Sequence, residues 1–132
     1  MDLKNTAKMS QDIISDTLNV MMNAKRAGKK FVVVNRHSKI LIKTLKIAFE
    51  LGYISNLNKD GKELKIEFGN FMFCKAIKPR FNVSVNEIEK YMKRYLPSKD
   101  LGVIIISTNK GLMTHHEAIE KNIGGTLIAY FY

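Results

Sequence analysis

Gly102 to Ala118 reads GVIIISTNKGLMTHHEA, and the parsing of this stretch decides the rest of the chain. Val103 to Ile106 are four consecutive β-branched residues, a short apolar run of the kind that makes a strand buried on both faces. The run stops abruptly at Ser107-Thr108-Asn109-Lys110-Gly111, which reads as a polar loop held rigid by the strand behind it. Thr114-His115-His116-Glu117 has the spacing of a capping box and so opens a short helix on the far side. A stiff strand that presents hydroxyls, a lysine and backbone amides at its end suits a sugar-phosphate surface.

Catalytic readings of the same residues fail on spacing. Ser107 lies in Ile105-Ile106-Ser107-Thr108-Asn109, which lacks the glycines of a nucleophile elbow. Lys110-Gly111 lacks the upstream glycine and the following Ser/Thr of a P-loop. A small metal-dependent nuclease using His115, His116 and Glu117 is the enzyme alternative. Adjacent helical histidines point about 100° apart, unlike an i, i+4 metal pair, and Glu117 already has a capping role. No catalytic residue, metal ligand, cofactor or small-molecule substrate is expected.

On the C-terminal side of this stretch, Gly124-Gly125 marks a turn and Thr126 to Tyr132 a final strand. On the N-terminal side, Ser84-Val85-Asn86-Glu87 is a first capping box. It opens a helix whose Ile88, Tyr91 and Tyr95 face inward and which Pro97 ends. Phe71 to Ile77 reads as a strand buried on both sides, because Phe71 and Phe73 alternate with the equally apolar Met72 and Cys74. Lys78-Pro79-Arg80 breaks it.

Ahead of Gly69-Asn70 the pattern changes. Ser10 to Ala24 forms an amphipathic helix with Ile13, Ile14, Thr17, Leu18 and Met21 on one stripe, the Met21-Met22 pair filling core, and Gly28 as the stop. Phe31 to Asn35 is a short strand, and Ser38 caps a helix that ends at Gly52. Ile54 to Asn58 and Leu64 to Phe68 form a hairpin about Asp60-Gly61. The fold class is therefore α+β with two small domains. Residues 1–69 make a helix-strand-helix-hairpin layer, and residues 70–132 a mostly β domain with short helices.

Charge narrows the partner. The 132 residues carry 22 Lys+Arg against 12 Asp+Glu, a net charge of +10, which favours a polyanion through counterion release. Both parts are basic, and eight basic residues with no acidic one lie between Lys25 and Lys46. Lys25, Arg26, Lys29, Lys30, Arg36 and Lys39 from this run are candidates for a phosphate-facing surface, with His37 beside them. No run approaches the ~18 apolar residues of a spanning helix, and no basic helix has a separate bulky apolar face, so a membrane partner is not expected. Cys74 is the single cysteine, so no disulfide forms within the chain. MDLKNTAKMS lacks the apolar centre of a signal peptide, and a cytoplasmic location is expected.

The run Ser107-Thr108-x-x-Gly111-Leu112-Met113, with Ala118 downstream, resembles the universal small-subunit ribosomal protein number eight family. The resemblance extends over nearly the whole chain through Asn23-Ala24, Ser38-Lys39, Gly52-Tyr53-Ile54, Pro79-Arg80-Phe81, Leu96-Pro97-Ser98 and Gly124-Gly125. Pro-Arg-Phe, Leu-Pro-Ser and the Tyr130-Phe131-Tyr132 ending are similar to the eukaryotic and archaeal branch. Two features depart from many relatives: a shorter hairpin around Asp60-Gly61, and Asn109 where small residues are common. The resemblance implies a structural constituent of the cytosolic small ribosomal subunit, bound to a helical stem in the central domain of small-subunit rRNA and touching neighbouring small-subunit proteins. It implies RNA contacts by Ser107, Thr108, Asn109, Lys110 and Gly111. Asn23, Lys25, Arg26, Lys29, Lys30, Arg36, Ser38, Lys39 and Arg80 are the further RNA-facing candidates. A free RNA-binding regulator is the alternative within binding proteins.

Overall fold

Residues 13–98 and 100–132 are described by the computed structural model, and the chain divides into two compact units between Asn70 and Phe71. The first unit begins with α1 (Ile13–Arg26), followed by β1 (Phe31–Val34), α2 (Lys39–Glu50), β2 (Ile54–Asp60) and β3 (Glu63–Phe68). The expected first helix thus extends two residues further, to Arg26, and its predicted start at Ser10 lies outside the described residues. The strands form an antiparallel sheet in the order β1-β3-β2. Ile14, Leu18 and Met21 of α1, Leu41 and Leu45 of α2, and Leu64 and Ile66 of β3 are almost wholly buried. These side chains recur at helical spacing in α1 and α2 and at every second residue in β3, so burial of one stripe or one face orders each element.

Both helices of the first unit end in the same way. At α1, Lys29 N–H donates to Ala24 O at 2.9 Å and Gly28 N–H to Lys25 O at 3.0 Å, with Gly28 at φ +81. This pair of bonds is the Schellman arrangement, in which a residue in the left-handed region turns the chain back over the last carbonyls. Tyr53 and Gly52 repeat the pattern on α2. Ser38 caps the start of α2 by accepting from Leu41 N–H at 3.2 Å. The half-buried His37 reaches the hairpin, with Nε2 3.0 Å from Gly61 O. Asp60 is the last residue of β2 and pairs with Glu63, so the hairpin turns on Gly61-Lys62, one residue later than the Asp-Gly signal suggested.

The second unit contains β4 (Cys74–Ala76), β5 (Asn82–Val83), a 3₁₀ turn (Val85–Glu87), α3 (Ile88–Tyr95), β6 (Val103–Thr108), β7 (Gly111–Thr114), α4 (His115–Glu120) and β8 (Gly125–Phe131). The sheet order is β4-β8-β6-β7, with β5 also pairing to β8. The strand expected over residues 71–77 is reduced to three residues, and Met72 is 71% exposed. That segment is held by Met72 and Phe73 N–H groups donating to Tyr132 O, so its apolar residues do not imply burial on both sides. Tyr91 and Tyr95 are half-buried. They belong to a belt of rings, with Phe81 5.0 Å from Tyr91 and Tyr95 5.0 Å from Tyr130, centroid to centroid.

One face of this sheet packs Ile104, Ile106, Met113 and Leu127 with Ile88 and Met92 of α3 and Ala118 of α4. Pairing slips by one residue between Ile105 and Ile106, so that Ile105 faces Ala129 and Ile106 faces Leu127. Ile128 is the extra residue of this bulge, and its carbonyl accepts from Ile77 N–H at 2.9 Å. The double glycine has a steric purpose. A Cβ on Gly125 would strike Ser107 O and sit 2.9 Å from Ile106 Cγ2, and one on Gly124 would strike Val83 O.

Both capping boxes form. Ser84 N–H and Oγ donate to Glu87 Oε1 at 2.9 and 3.1 Å, and these bonds hold the Glu87 carboxyl below its ordinary pKa. Thr114 Oγ1 accepts from Glu117 N–H at 3.2 Å. The next residue, His115, has no exposed surface. Its Nδ1 accepts from Ile104 N–H at 3.0 Å, which places the ring proton on Nε2, and Nε2 meets no partner among the described residues. Burial, and then the neighbouring His116 ring, lower its pKa from 6.5 to about 4.

Two outcomes follow from this packing. Gly125→Ala must push β8 away from β6, and because the obstacle is backbone it should cost about 1–3 kcal/mol, read as a lower urea midpoint. His115 stays neutral in the folded chain but takes up a proton near pH 6.5 when unfolded, so its contribution is complete above that pH and is lost as the pH falls towards 4. Stability should drop by about 2 kcal/mol between pH 7 and 5 through this residue. His115→Asn, which keeps an acceptor for Ile104 N–H, should remove that share of the slope in urea titrations at the two pH values.

Candidate nucleic-acid interface

Ser107 and Thr108 are the last residues of β6, and Gly111 and Leu112 open β7, with Thr108 paired to Gly111 and Ser107 to Leu112. The stretch expected as a five-residue loop is therefore a hairpin whose tip is Asn109-Lys110. Gly111 has φ +108 while neither tip residue has positive φ, the pattern of a type I turn closed by a glycine bulge. Thr108 builds this turn from inside. Its Oγ1 donates to Gly111 O at 2.8 Å and accepts from Lys110 N–H at 3.1 Å. Its hydroxyl proton and the Lys110 amide are thereby used within the protein.

Ser107 differs. Its side chain is half-buried, and none of the hydrogen bonds among the described residues uses its hydroxyl. Register extends this position across the sheet: Ser107 pairs with Thr126 of β8, and Thr126 with Asn82 of β5. Directly paired residues point to the same face, so Asn82, Thr126 and Ser107 form one polar row on the face opposite α3 and α4. The Thr126 hydroxyl donates to Asn82 Oδ1, and no hydrogen bond among the described residues uses the amide hydrogens of the exposed Asn82. Thr126 and Asn82 were not read as site residues from the sequence. Asn82 lies in a two-residue strand, and only the pairing pattern aligns the three. Arg80 is exposed two residues before Asn82, and Asn109 and Lys110 are exposed at the tip.

In the first unit the candidates fall into two groups. Asn23, Lys25, Arg26, Lys29 and Lys30 surround the end of α1, all exposed except the half-buried Lys25. Lys25 and Arg26 in the last turn oppose the partial negative charge of the helix C-terminus. Arg36 and Lys39 flank the start of α2, both exposed. Ser38 between them is occupied as the N-cap, so its hydroxyl is structural.

The histidine cluster does not assemble as a metal centre. The His115 and His116 rings lie with centroids 3.9 Å apart and planes tilted by 38°, closer than their helical separation suggested. Even so, the Nδ1 lone pair of His115 is taken by Ile104 N–H, and Glu117 Oε1 faces the Thr114 N–H and hydroxyl at 3.4 and 3.3 Å. No group of three possible metal ligands occurs among the described residues. None of their helices is long and apolar enough to cross a membrane.

Comparison with known proteins identifies the family. The family model described as "Ribosomal protein S8" matches residues 12–132. The small ribosomal subunit protein uS8 of Nanoarchaeum equitans is 43% identical, the match covering 94% of this chain and all of that protein. The uS8 protein of Archaeoglobus fulgidus is 40% identical with the same coverage. In Schizosaccharomyces pombe, uS8A is 36% identical over 92% of this chain and 98% of its own length. With a family model and relatives of this identity matching nearly end to end, the chain belongs to the ribosomal protein S8 family.

Proposed function

We propose that this chain binds a helical stem in the central domain of small-subunit rRNA, the β6–β7 hairpin selecting the stem and the basic ends of α1 and α2 attracting it. Membership of the family makes it a structural, non-enzymatic ribosomal protein. The stem, the cytosolic ribosome as its location, and contact with neighbouring small-subunit proteins are the finer parts of the proposal.

The observation that carries it is the Ser107 hydroxyl, which is rigidly placed, half-buried and used by no hydrogen bond among the described residues. An RNA duplex offers 2′-hydroxyls and base edges across a wide, shallow minor groove. A hydroxyl at the end of a buried strand can both donate and accept there at little entropic cost. Asn82 and Thr126 continue the same row, and the Lys110 ammonium at the tip lies within reach of a phosphate. Thr108 acts indirectly, by fixing the turn, with only its remaining lone pair offered outward. Lys29, Lys30, Arg26, Arg36 and Lys39 supply the part of the affinity that depends on salt and not on sequence.

Binding titrations separate these roles. Ser107→Ala with Thr108→Ala should weaken binding to the cognate stem about tenfold or more, and binding to random duplex by much less. The single Ser107→Ala change should give most of that selective loss. Lys29→Ala with Lys30→Ala should weaken both RNAs alike and flatten the plot of log affinity against log salt by about one for each phosphate that is no longer neutralised. Equal losses on cognate and random RNA from the hydroxyl changes would refute this division.

A further inference from the structure

β1 has a free edge. Among the described residues it pairs only with β3, and Phe68 N–H donates to Lys30 O at 2.9 Å. In an antiparallel ladder this phase turns the backbone of Val32 and Val34 towards β3 and that of Phe31 and Val33 away from the sheet. No hydrogen bond among the described residues uses those outward N–H and C=O groups. Val20 on α1 and Phe31 and Val33 on β1 are 43%, 48% and 46% exposed. Together with Ala24 and Ala27 they line a groove of about 940 Å³ between the helix and the strand edge. A second groove of about 230 Å³ shares Val20 and Val33 and continues to Arg36. Lys29 and Lys30 stand at one end and Arg36 at the other, and Asp16 is the one acidic residue along the lining among the described residues.

A helix flank beside an unpaired strand edge is the setting in which an extended peptide adds as a further strand. We propose that β1 receives an extended segment of a neighbouring small-subunit protein, with apolar residues facing Val20 on one side and Phe31 and Val33 on the other, and an acidic residue beside Lys29 and Lys30. This rests on the chain being a small-subunit protein. Outward backbone groups recurring every second residue, at about 6.8 Å, match another peptide backbone, and the apolar lining has no counterpart on an RNA sugar-phosphate chain. Charge argues against a second copy of this chain. Antiparallel pairing of two β1 edges would set Lys29 and Lys30 of one copy opposite the Asn35-Arg36 end of the other, placing like charges together.

The test uses the full chain with p-benzoylphenylalanine in place of Val20, incorporated into small subunits and irradiated. The expected result is a crosslink to a peptide of another small-subunit protein. In the unmodified chain, the Phe31 and Val33 amides should exchange hydrogen at least about tenfold more slowly in the subunit than when free. Val33→Pro removes one outward N–H and no bond of the sheet, and should lower the crosslink yield at least about tenfold. Val33→Ala, which keeps that N–H, should not. Crosslinks only to rRNA or to a second copy, unchanged amide exchange, or equal yields from the two Val33 variants would overturn the proposal. A chain that does not sediment with small subunits would remove the underlying reading as well, whereas one that does but gives no protein crosslink removes this inference alone.

Discussion

The second unit depends on how closely β8 can lie against β6. β6 is hydrogen-bonded on both sides, by β7 and β8, and its Ile104 and Ile106 enter the core beneath α3 and α4. Gly125 sits against the Ser107 carbonyl, where a methyl group would collide. Removing a side chain at that one point lets the β8 ladder continue to Ser107. Ser107 is thus held between paired neighbours up to the residue before the hairpin turn, and its hydroxyl is placed by two strands and not by a loop. A contact group fixed in this way loses little freedom on binding, which favours discrimination between similar surfaces.

The two units supply different kinds of interaction. Around α1 and α2 the cations are exposed on long side chains, and the polar backbone nearby is already satisfied by Schellman bonds and by the Ser38 cap. Such charges act at a distance and weaken as salt rises. At the β6–β7 hairpin the relevant groups are neutral, short and directional, with one lysine at the tip. Polar groups of this kind act only at contact distance. Both units are basic in sequence, yet folding sorts their chemistry into exposed cations on long side chains in one and short, placed neutral groups in the other.

Much of this is legible in the amino-acid order alone, and what escapes it has physical causes. Gly28, Gly52, Ser38, the two capping boxes and the apolar periodicity of α1 and α2 are local signals, and the structure uses each where it stands. β7 escapes because Leu112-Met113-Thr114 is too short to show alternation and runs directly into a capping box. Ser107 to Gly111 then reads as a loop, although β-pairing continues through Thr108 and resumes at Gly111. Phe71 to Ile77 misleads in the opposite direction: its unbroken apolar composition suggests a strand buried on both faces, while Met72 points to solvent. The row of Asn82, Thr126 and Ser107 depends on register between strands far apart in sequence, which no local pattern encodes.

His115 shows how the same cluster can tempt a chemical reading and serve packing. A strand residue at that point would meet Ile104 N–H with a backbone carbonyl, but the chain has already turned into α4. The imidazole Nδ1 fills the vacancy in the ladder, and burial keeps the ring neutral so that the lone pair stays available. Its Nε2 proton has no partner among the described residues, at a cost of the order of 1–3 kcal/mol for a buried polar group. Leaving Ile104 N–H unpaired would cost a comparable amount and would also loosen the strand that carries Ser107. The histidine therefore moves an unsatisfied donor out of the central strand and into a side chain, where it disturbs no pairing of the sheet on which the hairpin depends.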